Sequence, residues 1–220
     1  VGSQRTHPME EPQQSRQSPQ QAACSGRSSG RAEGRTLDGF LLLAAGGASV
    51  PADVVCARLP SLQIGSVRTQ DLAFFSRIDH LDLSDNLLAH EHVLQQLGFL
   101  PRLATLSLAQ NAINALRVAR PDVFRFLRCL DLSFNALCGD ALAQAARLPA
   151  LERLDLSSNS ISSVPAEGEL AGFRALEELV LDANDLVQFV QWCGLGVLPR
   201  LRKLSLASNR VKRLEDDAPA

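Results

Sequence analysis

Three aspartates recur at one position of a repeated pattern, and carboxylates brought together in this way can hold a metal ion or act as acid and base. They are Asp82, Asp131 and Asp155. Each stands between two leucines that alternate as in a short strand, so it points away from those leucines. Neighbouring strands lie about 4.8 Å apart, and Ser107 separates Asp82 from Asp131. The spacing therefore predicts a structural role for this column rather than a catalytic or metal site.

Other residues of the ligand or nucleophile type do not form a recognisable constellation. The pair in His90-Glu91-His92 stands at the start of a predicted helix, with no third ligand near it in sequence. No two cysteines have the spacing of a zinc site. The sequence also lacks a nucleophile elbow and a glycine loop that would cradle phosphate. We therefore predict no catalytic residues, no metal, no cofactor and no enzymatic activity.

The dominant feature of the chain is a ladder of apolar residues that recurs six times. In the first copy it reads Ile78-x-x-Leu81-x-Leu83-x-x-Asn86-x-Leu88. Successive copies are 24 or 25 residues apart, and each contains one asparagine. These asparagines are Asn86, Asn111, Asn135, Asn159, Asn184 and Asn209. Six in-register copies with this period are typical of the leucine-rich repeat.

The pattern predicts an α/β solenoid, a right-handed leucine-rich-repeat horseshoe with a parallel concave sheet and short helices or 3₁₀ turns on its convex side. The leucines of each copy face inward from a short strand. These strands are expected near residues 80–84, 105–109, 129–133, 153–157, 178–182 and 203–207. An amide carries both donors and acceptors, so each asparagine can satisfy buried backbone groups where the chain leaves the sheet. We predict that the six asparagines form a structural ladder.

The convex segments carry weaker signals. Residues 90–97 and 140–147 have the apolar spacing of short helices, and Asp140 is placed to cap the second one. Residues 160–172 contain Pro165 and two glycines, which predicts an irregular or 3₁₀ turn.

A cap is predicted before the ladders, and a tail before the cap. Residues 1–36 are rich in Gln, Ser, Arg and Gly and poor in large apolar residues, which predicts a disordered tail. Residues 37–77 form the N-terminal cap, which includes the apolar run 40–50. Within it, Leu59-x-x-Leu62-x-Ile64 is interpreted as a degenerate repeat with Val67 in place of the asparagine.

The six repeats occupy residues 78–214, and a polar tail of residues 215–220 follows them. No convex segment or capping helix comes after the sixth ladder, and the chain does not begin with Met. We therefore expect the chain to be a fragment of a longer protein or the product of an incompletely defined gene.

Composition and cysteine spacing limit the kinds of surface and the cellular compartment that we expect for the chain. The 22 basic and 24 acidic residues give a formal net charge of −2, so a broad surface for nucleic acid or an anionic membrane is not expected. The apolar run 40–50 is too short to span a bilayer, which takes about 20 residues. Five cysteines are an odd number with irregular spacing, and no cysteine cluster precedes the first ladder. These features favour a reducing, intracellular compartment, either cytoplasm or nucleus.

The flanking columns of the concave face carry opposite charges next to each other. Arg128 lies beside Glu152, Arg153 beside Glu178, and Glu178 beside Lys203. Exposed pairs of this kind contribute only about 0–1 kcal/mol to stability. They either keep the sheet soluble or form a partner surface with a mixed polar pattern, and the sequence leaves both interpretations open.

Phe134 is the exception on the predicted concave face. Its counterparts in the other copies are small or polar, namely Asp85, Gln110, Ser158, Ala183 and Ser208. A large aromatic side chain there is a candidate anchor for a bound protein; the alternative is that it packs over the edge of its own repeat. The predicted partner-binding residues are Phe134, Arg128, Asp131, Arg153, Asp155 and Glu178.

The chain also resembles a particular group of leucine-rich proteins. The order LDGFLLL, LPSLQIGSV and RTQDLAFFSRIDHLDLSDNLL, followed by the ladders, resembles the N-terminal half of the X-ray radiation resistance-associated protein family. The resemblance covers Leu37 to Ala220, and its discriminating part is Leu37 to Ile78. It implies a non-catalytic interaction protein of the cytoplasm or nucleus, with links to the cytoskeleton or cilium.

We therefore predict a scaffold that binds a protein partner on its concave face, with no small-molecule substrate and no membrane. One alternative is a regulatory subunit of an enzyme, like the leucine-rich regulator of the type-one phosphatase, whose copies are shorter than the steps found here. Another is a ribonucleoprotein component resembling the leucine-rich spliceosomal A-prime protein. That role would need a basic surface with aromatic residues.

Overall fold

A parallel sheet of seven short strands runs through the computed structural model, which describes residues 34–187 and 193–210. The remaining residues, 1–33, 188–192 and 211–220, lie outside the described part, and most of the two predicted tails falls there. Nine strands lie in the described ranges, and seven of them form this sheet. They are β1 (Arg35–Leu37), β2 (Cys56–Arg58), β3 (Ile64–Val67), β4 (His80–Asp82), β5 (Thr105–Ser107), β6 (Cys129–Asp131), β7 (Arg153–Asp155), β8 (Glu178–Val180) and β9 (Lys203–Ser205).

The strand order in this sheet is β2-β4-β5-β6-β7-β8-β9, and every neighbouring pair is parallel. The register is constant, since Leu81 faces Leu106, which faces Leu130. The six predicted strands and the predicted parallel concave sheet are therefore confirmed. One further strand, β2, precedes them, and a separate parallel pair joins β1 to β3.

Short helices and 3₁₀ turns connect the strands, as predicted for the convex side. The helices are α1 (Gly39–Gly46), α2 (Thr69–Leu72), α3 (Val93–Leu97), α4 (Ala141–Ala145) and α5 (Glu167–Leu170). The 3₁₀ turns span Pro51–Asp53, Pro121–Phe124 and Cys193–Val197.

The core is a continuous column of apolar side chains inside the coil. The strand leucines Leu81, Leu106 and Leu179 are fully buried, and each contributes about 1.5–3 kcal/mol of transfer free energy. Leu204 of β9 is 39% exposed, because β9 is the last strand of the described sheet. Each repeat therefore depends on its neighbours to bury its own leucines.

The asparagine ladder closes each bend with hydrogen bonds to two successive repeats. The side-chain oxygen Oδ1 of Asn135 accepts a hydrogen bond from the N–H of Ile113 in the preceding repeat, at 3.0 Å. Its Nδ2 lies 2.9 Å from the carbonyl oxygen of Leu108 in the preceding repeat, and 3.0 Å and 3.1 Å from those of Leu132 and Ser133 in its own repeat. Asn159 and the other ladder asparagines repeat this arrangement.

Replacing Asn135 with Ala should lower the free energy of unfolding by about 1–3 kcal/mol, because backbone groups of two repeats lose their partner. A urea titration followed by circular dichroism measures the change. The control is Ser160→Ala, an exposed position one residue after a ladder asparagine, which should change stability by less than about 0.5 kcal/mol. An unchanged midpoint for Asn135→Ala would contradict the structural role of the ladder.

The degenerate repeat of the cap aligns with the first full repeat in a different register from the predicted one, which would have paired Leu62 with Leu81. Ala57 pairs with Leu81, and Leu62 therefore takes the place of the asparagine, where the prediction put Val67. Asn86 fixes this frame, since its Oδ1 accepts the N–H groups of Leu62 at 3.1 Å and Ile64 at 2.9 Å. The prediction failed because Ala stands where a strand leucine is expected.

The beginning of the cap also differs in detail from the prediction. Strand β1 starts at Arg35, inside the segment that composition assigned to the disordered tail, because its backbone pairs with β3. The apolar run forms α1, whose N-terminus is capped by the Asp38 side chain accepting the Leu41 N–H at 3.0 Å.

Two convex predictions need correction. Asp140 stands at the N-terminus of α4 but makes no capping hydrogen bond with its side chain. Its carboxylate instead lies 3.7 Å from the Cys138 sulfur. In the segment 160–172, where we predicted only an irregular or 3₁₀ turn, Glu167–Leu170 forms the α-helix α5, which begins after Pro165.

Gly172 allows two convex segments to pack in direct backbone contact. A Cβ atom added at Gly172 would collide with the carbonyl group of Ala146 in the preceding repeat. Gly172→Ala should therefore destabilise the fold by about 1–3 kcal/mol through overpacking. Gly168→Ala is the matched control, because no atom lies within 4 Å of the added Cβ.

Since Gly168 lies inside α5, its replacement with Ala should stabilise the protein by about 0.5–1 kcal/mol. Thermal unfolding of both variants measures the difference. Equal melting temperatures would show that the repeats can move apart at Gly172 without cost.

Candidate functional site

A shallow groove of about 520 Å³ runs across the concave face over strands β4 to β8. Four of the six predicted partner-binding residues line it together, namely Asp131, Arg153, Asp155 and Glu178. The in-register sheet brings them together, because residues at the same position of successive repeats become neighbours. Arg128 and Phe134 lie outside the groove lining, before and after β6 respectively.

The aspartates of the central column organise the ends of their own strands. The Oδ1 atom of Asp131 accepts the Ser133 N–H at 3.0 Å, and that of Asp155 accepts the Ser157 N–H at 2.8 Å. The second oxygen of Asp131 lies 3.4 Å from the Ser107 hydroxyl. Each carboxylate therefore uses one oxygen to hold the backbone at the end of its own strand. Among the described residues, no group of three His, Cys, Asp or Glu side chains is arranged to hold a metal ion.

The predicted charge pairs on the flanking columns form ion pairs. Arg128 Nη1 lies 3.6 Å from Glu152 Oε1, and Arg153 Nε lies 4.0 Å from Glu178 Oε2. Lys203 Nζ reaches the same Glu178 oxygen at 3.7 Å. The basic side chains are exposed and the two glutamates are half-buried, so each pair adds little to stability. Their effect is to cancel charge locally along the concave face.

Phe134 is exposed on the border of the concave face, since 55% of its surface is accessible. Its backbone has φ of +53°, as do Asp85, Gln110 and Ser158 in the equivalent position. The chain thus leaves every strand of the seven-stranded sheet through a left-handed residue, and a bulky residue is disfavoured there by roughly 1–2 kcal/mol. The repeat imposes this conformation on Phe134, and the exposed ring gains little from packing in return.

Phe134→Asn should not lower the free energy of unfolding and should raise it by up to about 1 kcal/mol, because Asn tolerates the left-handed region. The comparison variant is Phe124→Ala in the preceding repeat, since Phe124 is only 2% exposed. That change should cost about 3–5 kcal/mol. Chemical denaturation of both variants measures the difference, and a comparable loss with Phe134→Asn would mean that Phe134 belongs to the core.

A second groove, of about 390 Å³, lies on the convex side between α3 and the 3₁₀ turn Pro121–Phe124. Apolar groups of Phe99, Val118 and Phe124 line it. The sequence did not indicate this groove, because the convex segments differ in type and length from one repeat to the next.

Ion pairs lie beside the convex groove. Glu91 stands between His90 and His92 in the sequence. Its Oε2 lies 3.3 Å from Arg117 Nε, and its Oε1 lies 3.3 Å from His92 Nε2. On the opposite side, the Arg120 guanidinium donates a hydrogen bond to Asp122 at 3.2 Å and lowers the pKa of that carboxyl below its usual value.

The comparisons with known proteins agree with this architecture. The sequence model of the family described as "Leucine rich repeat" matches residues 125–186. The chain is a leucine-rich-repeat protein. It is 31% identical over 194 residues to X-ray radiation resistance-associated protein 1 of Mus musculus, covering 81% of this chain and 24% of that protein. Over 160 residues it is 34% identical to Tubulin-specific chaperone E of Danio rerio, covering 70% of this chain and 30% of that protein.

This leucine-rich-repeat chain thus spans less than a third of the length of either relative. Among solved structures, it is similar to a leucine-rich-repeat protein of Leptospira interrogans, with a TM-score of 0.60, 21% identity, and 76% of this chain and 46% of that chain covered. The internalin C2 of Listeria monocytogenes gives a TM-score of 0.58 at 18% identity and covers 80% of this chain. The structure contains no helix, within its described ranges, that is long and apolar enough to cross a membrane.

Proposed function

We propose that the chain is a non-catalytic scaffold that binds a protein partner on its concave face. The observation that carries this proposal is Phe134, an exposed aromatic ring on a border where the equivalent residues are small or polar. Aromatic side chains are enriched among the residues that contribute most to protein interfaces. The concave groove beside it has the extended shape that solenoids use for binding.

The charges of the groove support a role in specificity. Arg153 and Glu178 line the groove as an ion pair, and Arg128 pairs with Glu152 at its border. Such a face has little net charge, so a partner is favoured only if its own charges match this alternation. Asp131 and Asp155 add two carboxylate oxygens on the floor.

The cysteines support an intracellular location, in cytoplasm or nucleus. Cys56 and Cys129 are free thiols in the described part of the chain, which suits a reducing compartment. The likeness to X-ray radiation resistance-associated protein 1 agrees with a non-catalytic interaction role. An association with the cytoskeleton or cilium is part of the same proposal.

The test compares partners recovered from cell extract by the wild-type protein, by Phe134→Asn and by Phe40→Gln. Phe40 is the control because it is 79% exposed on α1, away from the groove. Both variants exchange an exposed phenylalanine for an amide. We expect Phe134→Asn to reduce recovery of specific partners at least about tenfold, in line with an aromatic anchor, and Phe40→Gln to retain them.

Photo-crosslinking locates the contact directly. Benzoylphenylalanine introduced at position 134 should form a covalent adduct with the partner, whereas the same residue at position 40 should not. Full recovery with Phe134→Asn together with no adduct from position 134 would rule out binding at the concave face.

A further inference from the structure

One arginine lies in the four-residue segment that precedes each of the six ladders and leads from the convex side into the strand. Each segment ends immediately before the first ladder leucine or isoleucine, and none of the six segments contains Asp or Glu. All six arginines are exposed. They are Arg77, Arg102, Arg125, Arg147, Arg174 and Arg200, and we call them the arginine row.

Within residues 34–187 and 193–210 the arginine row forms no ion pairs, in contrast to the basic residues of the concave face. Among the described residues, no carboxylate lies within 4.0 Å of any of the six guanidinium groups. Arg125 donates a hydrogen bond to the Asp122 carbonyl at 3.1 Å, and from beyond ion-pair distance its charge helps to lower the pKa of the Asp122 carboxyl. On the concave face, by comparison, Arg128, Arg202 and Lys203 each have a glutamate partner.

The stacking of the repeats arranges the row along one edge of the array. With strands about 4.8 Å apart, six repeats extend over about 24 Å at the sheet and further towards the convex side. Carboxylates border the row, with Asp79 and Glu152 on its concave side and Asp122 and Glu169 on its convex side. The positive band is therefore narrow, and it suits a single extended chain better than a duplex.

Exposed phenylalanines lie within the first part of the row. Phe74 is 69% exposed and Phe99 is 53% exposed, and each opens the segment that contains Arg77 or Arg102. Phe126 follows Arg125 in the segment that precedes the third ladder, and it is also exposed. A ligand of this surface would thus meet positive charge and apolar surface together.

We propose that the arginine row binds an extended acidic peptide segment of a protein partner, with carboxylates facing the guanidinium groups and an apolar side chain packed on Phe74 and Phe99. Guanidinium and carboxylate groups form short, charge-assisted hydrogen bonds that suit such a pairing. Nucleic acid is disfavoured, because its binding depends on a broad positive field and this chain has a net charge of −2. This site is separate from the concave groove and does not depend on it.

The experiment measures binding of a fluorescein-labelled peptide of about twelve residues, mostly glutamate with two leucines, by fluorescence anisotropy at about 50 mM and 200 mM salt. The variant Arg77→Gln/Arg102→Gln/Arg125→Gln should raise Kd at least about tenfold. The matched control Arg68→Gln/Arg117→Gln/Arg202→Gln removes as many charges from arginines that already have a carboxylate partner, and it should change Kd less than about threefold. Phe74→Asn/Phe99→Asn should weaken binding at both salt concentrations, because it removes apolar contact.

Three results would overturn the proposal. These are no binding of the peptide, an equal loss of affinity in the row variant and in the control with paired arginines, and tighter binding of a labelled oligouridylate of the same length. Circular dichroism checks that each variant is folded. If the first triple variant unfolds, Arg147→Gln/Arg174→Gln/Arg200→Gln provides a second test on the other half of the row.

Discussion

The amide of the ladder asparagine is the interaction on which the whole array depends. Where the chain turns out of the sheet, backbone N–H and C=O groups are buried and need partners. One side chain per repeat, such as Asn135, supplies both an acceptor and donors at this bend. Because it bonds to two repeats at once, it holds their strands at a fixed offset. The constant register of the sheet follows, and so does every column of side chains on its surface.

This constraint explains which features could be predicted from sequence. The strands and the pairs Arg128–Glu152 and Arg153–Glu178 follow from the period alone, because a fixed offset determines which residues become neighbours. The arginine row was readable in the same way, as one arginine per repeat before the first ladder residue. The row is less evident in the sequence than the ladder, because its members take different positions within the four-residue segment and do not form a strict column.

Features outside the ladder could not be predicted so well. In the cap, Ala57 and Leu62 replace the consensus residues, so only the hydrogen bonds of Asn86 identify the correct frame. On the convex side, helix boundaries depend on packing between neighbouring segments, such as the close approach that Gly172 permits. The exposure of Phe134 likewise follows from the left-handed turn before each asparagine, a backbone property that an apolar pattern does not reveal.

The asparagine ladder also determines the order in which the bends can be completed while the chain is being synthesised. The amide that completes the bend at Ile113 belongs to Asn135, which follows 22 residues later in the chain. At a synthesis rate of about 5–20 residues per second, this separation corresponds to a delay of roughly one to five seconds. Local collapse is faster than that by orders of magnitude. A nascent chain therefore always carries one unfinished bend at its growing end, and the leucines of that newest repeat are where a chaperone would act on the ribosome.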